Sequence, residues 1–352
     1  MSFMPKPIAH HPALPRNAQG LTRRDYEGSM STLCAGCGHD SITAALIEAC
    51  FELDLPPHRI AKVSGIGCSS KAPTYFLGRA HGFNSVHGRM PSVTTGAALA
   101  NRDLIYIGVS GDGDTASIGL GQFCHAVRRR LNMTYIVMNN GCYGLTKGQF
   151  SATNDKGSAS KKGEINPFES IDLAQMAIQL GAGFVARSFS GDKGQLIPLL
   201  KAAIGYNGFS LVDVVSPCVT FNNHATSTKS YEYVRAHNLA SEKQLDYVEP
   251  KEEITVDYAE GTSAEIELHD GSRLILNKLD NQHDPRDADA ALMAIRSNAA
   301  RGAVTTGLLY IDTAERDMHD ILATDSRPLN AVPMVELCPG SKALEGINAR
   351  LR

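Results

Sequence analysis

Two groups of residues in this chain can carry chemistry. The first is four cysteines: Cys34 and Cys37 in LCAGCGH, Cys68 in GIGCSSK and Cys218 in SPC. Four thiolates can hold a tetrahedral zinc ion or a [4Fe–4S] cube. The compact ferredoxin spacing is absent, so spacing leaves both open, beside a plainer reading of Cys68 and Cys218 as core thiols. The second group is GDG at 111–113 and NN at 139–140, with residues 114–138 between them. Asp112 offers a carboxylate oxygen, Asn140 an amide oxygen and Cys142 a backbone carbonyl. Hard oxygen donors beside a diphosphate suit Mg²⁺. Gly111 and Gly113 let the backbone approach phosphate, and a helix N-terminus after them favours the anion. An acidic turn explains GDG alone equally well; the paired NN makes the signal specific. Neither a Walker A loop nor GxGxxG is present.

Such groups must be placed by strands and helices. DLIYIGVSGDG at 103–113 reads as a buried strand running into the acidic turn, a helix follows over 117–130, and TYIVMNN at 134–140 is the next buried strand. This is a β-turn-α-β unit of a parallel sheet, with ligands at strand carboxyl ends. RIAKVSGIG at 59–67 gives a strand that delivers Cys68, and FSLVDVVSP gives one that delivers Cys218. Helices are expected over 40–50, 91–100, 171–181 and 192–205, with a strand over 183–187. The polar run 151–166 reads as a surface excursion. Beyond about 240, EEITVDYAEG and TSAEIELHDGSRLILNKL suggest short antiparallel strands, the latter with a turn at Asp270-Gly271. A helix over 286–300, a strand at 308–312 and an irregular tail complete the chain. The expected organisation is a lead-in over 1–29, an α/β cofactor domain over 30–240 and an accessory region over 241–352.

The 352 residues carry 34 basic and 37 acidic side chains, a net charge of -3, so nothing in the charge draws the chain to nucleic acid or an anionic membrane. No apolar run approaches a membrane span, the first residues lack a signal-peptide core, and a cytoplasmic setting is expected. There reduced thiols are the norm. Cys50 and Cys124 fall among apolar helix neighbours and read as core; Cys338 has no assigned role.

Together with HGR at 87–89, NGCYGLTKGQ at 140–149 and SPC at 216–218, these motifs resemble the β subunit of 2-oxoacid:ferredoxin oxidoreductases, in particular the 2-oxoglutarate type. The likeness is specific over about 30–235. It implies the pyrophosphate-binding α/β fold of thiamine diphosphate enzymes, a parallel sheet with a small C-terminal accessory region. It implies thiamine diphosphate held with Mg²⁺ by Asp112, Asn140 and the Cys142 carbonyl. It implies one [4Fe–4S] cluster on Cys34, Cys37, Cys68 and Cys218. The reaction implied converts a 2-oxo acid, CoA and oxidised ferredoxin into acyl-CoA, CO₂ and reduced ferredoxin, or runs in reverse. Lys71 is placed by the likeness at a substrate carboxylate. His87 and Arg89 have the polarity to meet cofactor or substrate, Lys147 to meet the substrate's distal charge, and Leu145 and Thr146 to shape that pocket. Each could instead be an ordinary loop or surface residue. His39 either tunes the cluster or only precedes the helix. The glutamate that activates the aminopyrimidine is implied to come from an α subunit, in a dimer of α/β pairs. Other readings are the same chemistry on pyruvate or another 2-oxo acid, a non-redox thiamine decarboxylase or ligase subunit with structural zinc, and a zinc-stabilised interaction module.

Overall fold

The structure, a computed structural model, describes residues 11–159, 163–219, 252–268, 273–314, 316–338 and 340–351. Its centre is one nine-stranded sheet. In chain order the strands are β1 (Ile60–Ser64), β2 (His81–Asn84), β3 (Ile105–Gly111), β4 (Met133–Asn139), β7 (Phe184–Phe189), β8 (Phe209–Val215), β9 (Ser263–Glu267), β10 (Arg273–Lys278) and β11 (Ala303–Ile311). A separate two-stranded hairpin is β5 (Cys142–Tyr143) with β6 (Gln149–Phe150). The order across the sheet is β2-β1-β3-β4-β8-β7-β11-β10-β9. The first six run parallel, while β11 joins β7 antiparallel and extends the same sheet through β10 and β9.

Apolar residues on both faces of the central strands explain why this sheet is buried between helices. Along β4, Met133, Tyr135 and Val137 enter one core while Ile136 and Met138 enter the other. On the first face Phe123 packs edge-on against Tyr135 and Phe209, which are tilted to each other, with centroids 5.4–5.9 Å apart. That face is covered by α3 (Met90–Ala100), α4 (Leu120–Arg128), α5 (Leu173–Gln179) and α7 (Ala288–Ala299). The other is covered by α1 (Gly38–Glu52), the short α2 (Ala72–Tyr75) and α6 (Lys193–Gly205). Asp172, Asp192 and Asp287 each accept the third-residue amide of the helix they begin, which fixes the starts of α5, α6 and α7.

Four expectations change. The helix placed at 117–130 begins as a π-turn over Asp114–Ile118, directly after the acidic turn, and only then becomes α4. Residues 252–259 form no strand. Ile254, Val256 and Tyr258 do turn one apolar face to Phe189, Leu274 and Leu276, but Val256 N bonds Gly191 O instead of a strand ladder. The tail is not irregular: α8 (Met318–Leu322), α9 (Met334–Leu337) and α10 (Ser341–Arg350) lie within it. The run read as a surface excursion over 151–166 is in part buried: among its described residues Ser151, Thr153, Asn154, Ser158 and Asn166 are inside, while Lys156 and 163–165 are exposed. The turn expected at Asp270-Gly271 lies outside the described residues.

One buried cation holds the loop that carries Cys68. Lys62, in mid-β1, donates to the carbonyls of Pro73, Phe76 and Leu77 at 2.6–2.8 Å. All three ammonium protons are thereby used, and burial lowers its pKa to about 8. Lys62→Met strands three buried carbonyls. We expect a loss of about 3 kcal/mol or more in urea unfolding, and a change under about 1 kcal/mol would show the carbonyls find other donors.

Candidate cofactor-binding site

The parallel strands β1, β3, β4 and β8 are neighbours in that order. At their carboxyl ends stand, in the same order, the Cys68 turn, the GDG turn, Asn139-Asn140 and the SPC turn. Residues far apart in sequence are thus set in a row by the topology, as at the ligand crevice of open α/β sheets.

At the inner two strands, Asp112, Asn140 and Cys142 are buried. The Asn140 amide N–H donates to Asp112 Oδ1 at 3.1 Å, and the Cys142 amide N–H donates to Asn140 Oδ1 at 3.1 Å. The oxygen donors expected for Mg²⁺ are therefore contiguous. The turn around them is close-packed. Tyr143 Oη donates to Gly113 O at 2.8 Å, and a Cβ on Gly113 would stand 2.6 Å from the Tyr143 ring. Only glycine fits beneath that ring. Asp114, the last residue of GDGD, accepts from Ser110 Oγ at 3.0 Å, the Ile66 amide at 3.3 Å and the Gly88 amide at 2.8 Å. It ties the loop before Cys68 and the His87–Arg89 loop to the acidic turn.

At the flanks are the four cysteines. Cys37 is the residue before α1, in a turn closed by its amide on Cys34 O at 3.0 Å. A Cβ on Gly38 would meet Ser190 Oγ at 2.5 Å and Ser216 Oγ at 2.7 Å, so glycine lets α1 bring Cys37 against the ends of β7 and β8. Burial pushes the Cys37 thiol well up, and the nearby Cys218 adds to this. Burial and then Cys218 push Cys68 up to about 11, while Lys71 pulls the other way. Cys218 and Cys34 each bear on both Cys37 and Cys68. Among the described residues, no three His, Cys, Asp or Glu side chains are grouped to hold a single metal ion. The Cys142 thiol, whose carbonyl alone drew attention in the sequence, also joins this group. A hydrogen bond with Cys218 and then burial push its pKa well up. Of the cysteines read as core, Cys50 is fully buried and Cys124 half-buried against Met176.

His39 does not precede the helix but is the second residue of α1, and it reaches the SPC turn. Its Nδ1 and Ser216 Oγ are 2.6 Å apart, and burial lowers its pKa to about 4, leaving a neutral ring at pH 7. Lys71 lies half-buried beside Cys68. His87 and Arg89 are exposed on the loop leading into α3. Leu145, Thr146 and Lys147 are exposed at the tip of the β5–β6 hairpin. Lys147 has φ +78°, an uncommon conformation for a non-glycine residue, of the kind held at ligand clamps. Among the described residues none of Lys71, His87, Arg89 and Lys147 is paired with a carboxylate.

Ser151 and Thr153, absent from the sequence candidates, both donate to Asp112 Oδ2, Thr153 at 2.7 Å. Asn139 was likewise passed over for its neighbour. Its Oδ1 lies 3.1 Å from Thr153 Oγ1, its Nδ2 donates to Asp213 at 3.0 Å, and its carbonyl takes the Ser216 amide at 2.8 Å.

Residues 65–214 match the thiamine pyrophosphate enzyme C-terminal TPP-binding domain. The chain is 40% identical over 223 residues to the 2-oxoacid:ferredoxin oxidoreductase subunit beta of Saccharolobus solfataricus, covering 62% of this chain and 72% of that one. It is 41% identical over 221 residues to the 2-oxoglutarate oxidoreductase subunit KorB of Mycobacterium tuberculosis, covering 61% and 58%. A solved 2-oxoglutarate:ferredoxin oxidoreductase from Magnetococcus marinus, with 2-oxoglutarate, coenzyme A and succinyl-CoA bound, superposes with a TM-score of 0.68 at 29% identity over 86% of this chain and 89% of that one.

Proposed function

Since the chain belongs to the β subunits of 2-oxoacid:ferredoxin oxidoreductases, we propose that it acts on 2-oxoglutarate, CoA and oxidised ferredoxin, giving succinyl-CoA, CO₂ and reduced ferredoxin. Thiamine diphosphate and Mg²⁺ are assigned to the Gly111–Gly113 turn, Asp112, Asn140 and the Cys142 carbonyl. One [4Fe–4S] cluster is assigned to Cys34, Cys37, Cys68 and Cys218. The observation that carries the reading is the row of four strand ends, which sets cation donors at the middle pair and thiols at the outer pair. The donor chemistry suits each group: buried oxygens for a hard divalent ion, thiols for iron.

When bound, thiamine diphosphate supplies the carbon centre that makes a 2-oxo acid's carboxylate a leaving group. The chain's residues bind and orient. Asp112 and Asn140 would offer oxygen donors to a divalent cation bound with the diphosphate. Lys71, beside the thiols, meets the substrate carboxylate. Lys147, held in its left-handed conformation at the hairpin tip, meets the distal carboxylate, with Leu145 shaping the pocket. His87 and Arg89, fixed through Gly88 and Asp114, line its other side. In this reading residues 30–240 carry the cofactors, and 241–352 is the accessory region. An α subunit supplies the pyrimidine-side glutamate, in a dimer of α/β pairs, and the assembly works in the cytoplasm. No helix among the described residues is long and apolar enough to cross a membrane.

The test is the α/β complex purified without oxygen. We expect about four iron atoms and matching acid-labile sulfide per β chain. We also expect ferredoxin reduction that requires CoA and favours 2-oxoglutarate over pyruvate by tenfold or more, roughly the 1.4 kcal/mol of one extra ion pair. Preference for pyruvate would reassign the substrate. Zinc in place of iron would leave a non-redox thiamine enzyme.

A further inference from the structure

We infer that Ser151 and Thr153 are positioning residues for the cation site: their hydroxyls fix the plane of the Asp112 carboxylate. The inference rests on the assignment of Asp112 as a cation ligand and adds how that ligand is aimed. A carboxylate turns freely about its last bond unless donors hold both oxygens. Here the Asn140 amide holds Oδ1 at 3.1 Å, while Ser151 and Thr153 hold Oδ2. Thr153 has one hydroxyl proton. The anionic acceptor at 2.7 Å outcompetes the Asn139 amide oxygen at 3.1 Å for it.

The two hydroxyls are themselves anchored. Ser151 N bonds Gly141 O at 3.2 Å, and Asn154 Nδ2 bonds the same carbonyl at 3.1 Å, which sews the segment to the turn that presents Asn140 and Cys142. Ile171 N bonds Ala152 O at 2.8 Å, and Ser170 Oγ bonds Thr153 O at 2.9 Å. Behind Thr153 the chain of contacts continues through Asn139 to Asp213, whose other oxygen takes Arg187 Nε at 2.9 Å. Arg187 Nη2 reaches Asp172 at 2.7 Å, and Asp172 caps α5. This buried ladder gives the hydroxyls a rigid base, so they can act as orienting partners rather than as followers of the carboxylate.

The measurement is Mn²⁺ affinity of the α/β complex with thiamine diphosphate present, read by electron paramagnetic resonance of free Mn²⁺. Thr153→Val and Ser151→Ala are each expected to weaken Mn²⁺ about tenfold, and Thr153→Ser to restore it. Melting temperature, followed in parallel, separates aiming from folding: Thr153→Ser and Thr153→Val should melt alike while differing in affinity. Wild-type Mn²⁺ affinity in both Thr153→Val and Ser151→Ala would overturn the inference alone, provided Asp112→Asn still loses the ion. If Asp112→Asn also binds normally, the cation-site assignment itself fails.

Discussion

Cys218→Ala is expected to leave a folded α/β complex that still binds thiamine diphosphate but transfers no electrons to ferredoxin. Cys218 lies past the last residue of β8, so its side chain can go without loss of a ladder bond. It is also the thiol that bears on most of the others, acting on Cys37, Cys68 and Cys142. Its removal takes the common ligand from the proposed cluster. Iron should fall below a stoichiometric cluster, and ferredoxin reduction should drop on the order of 10³-fold or more. The cation donors at β3 and β4 are untouched, so cofactor binding should persist. One neighbour could complicate this outcome. Cys142 is a buried thiol that bears on Cys218 and offers a substitute sulfur. A Cys142→Ala/Cys218→Ala pair removes that substitute. Full iron and full electron transfer in the pair would sink Cys218 as a ligand.

Much of this site is legible in the sequence because its parts sit at strand ends. Apolar runs such as IYIGVSG and MTYIVMN mark buried parallel strands, and the residues after such strands face the crevice. Asp112, Asn140, Cys68 and Cys218 all fall there. What stayed hidden has a common physical cause. The run SATN at 151–154 is small and polar, and composition cannot say whether a polar side chain faces water or a buried carboxylate. Ser151 and Thr153 satisfy Asp112, so the polarity that suggests a loop here serves a buried carboxylate. Lys62 is hidden for the same reason: residue type alone does not tell that a strand lysine is a buried clamp on three carbonyls. Residues 252–259 show the converse. Their alternation is real and buries one face, yet alternation alone does not supply a partner strand.

Asp112→Asn should separate charge from shape at the cation site. The amide matches the carboxylate in size, and its oxygen can take the Oδ1 position, still accepting the Asn140 N–H. Its NH₂ would then face Ser151 and Thr153, whose hydroxyls can rotate from donating to accepting. The local hydrogen bonds can therefore survive, and stability should change little. The negative charge cannot survive. At an effective dielectric near 20, one unit charge 4 Å from another contributes about 4 kcal/mol. Loss of that charge opposite a divalent ion should weaken metal-dependent thiamine diphosphate binding by about 10²–10³-fold. Titration of the complex with Mg²⁺ at fixed thiamine diphosphate, followed by calorimetry, measures this directly. If melting is unchanged and affinity falls, the effect is electrostatic and belongs to a cation ligand. If melting falls in step with affinity, Asp112 serves mainly as a buried acceptor for Asn140, Ser151 and Thr153. Unchanged affinity would move the cation off the GDG turn altogether, leaving Gly111 and Gly113 as a phosphate cradle without this metal ligand.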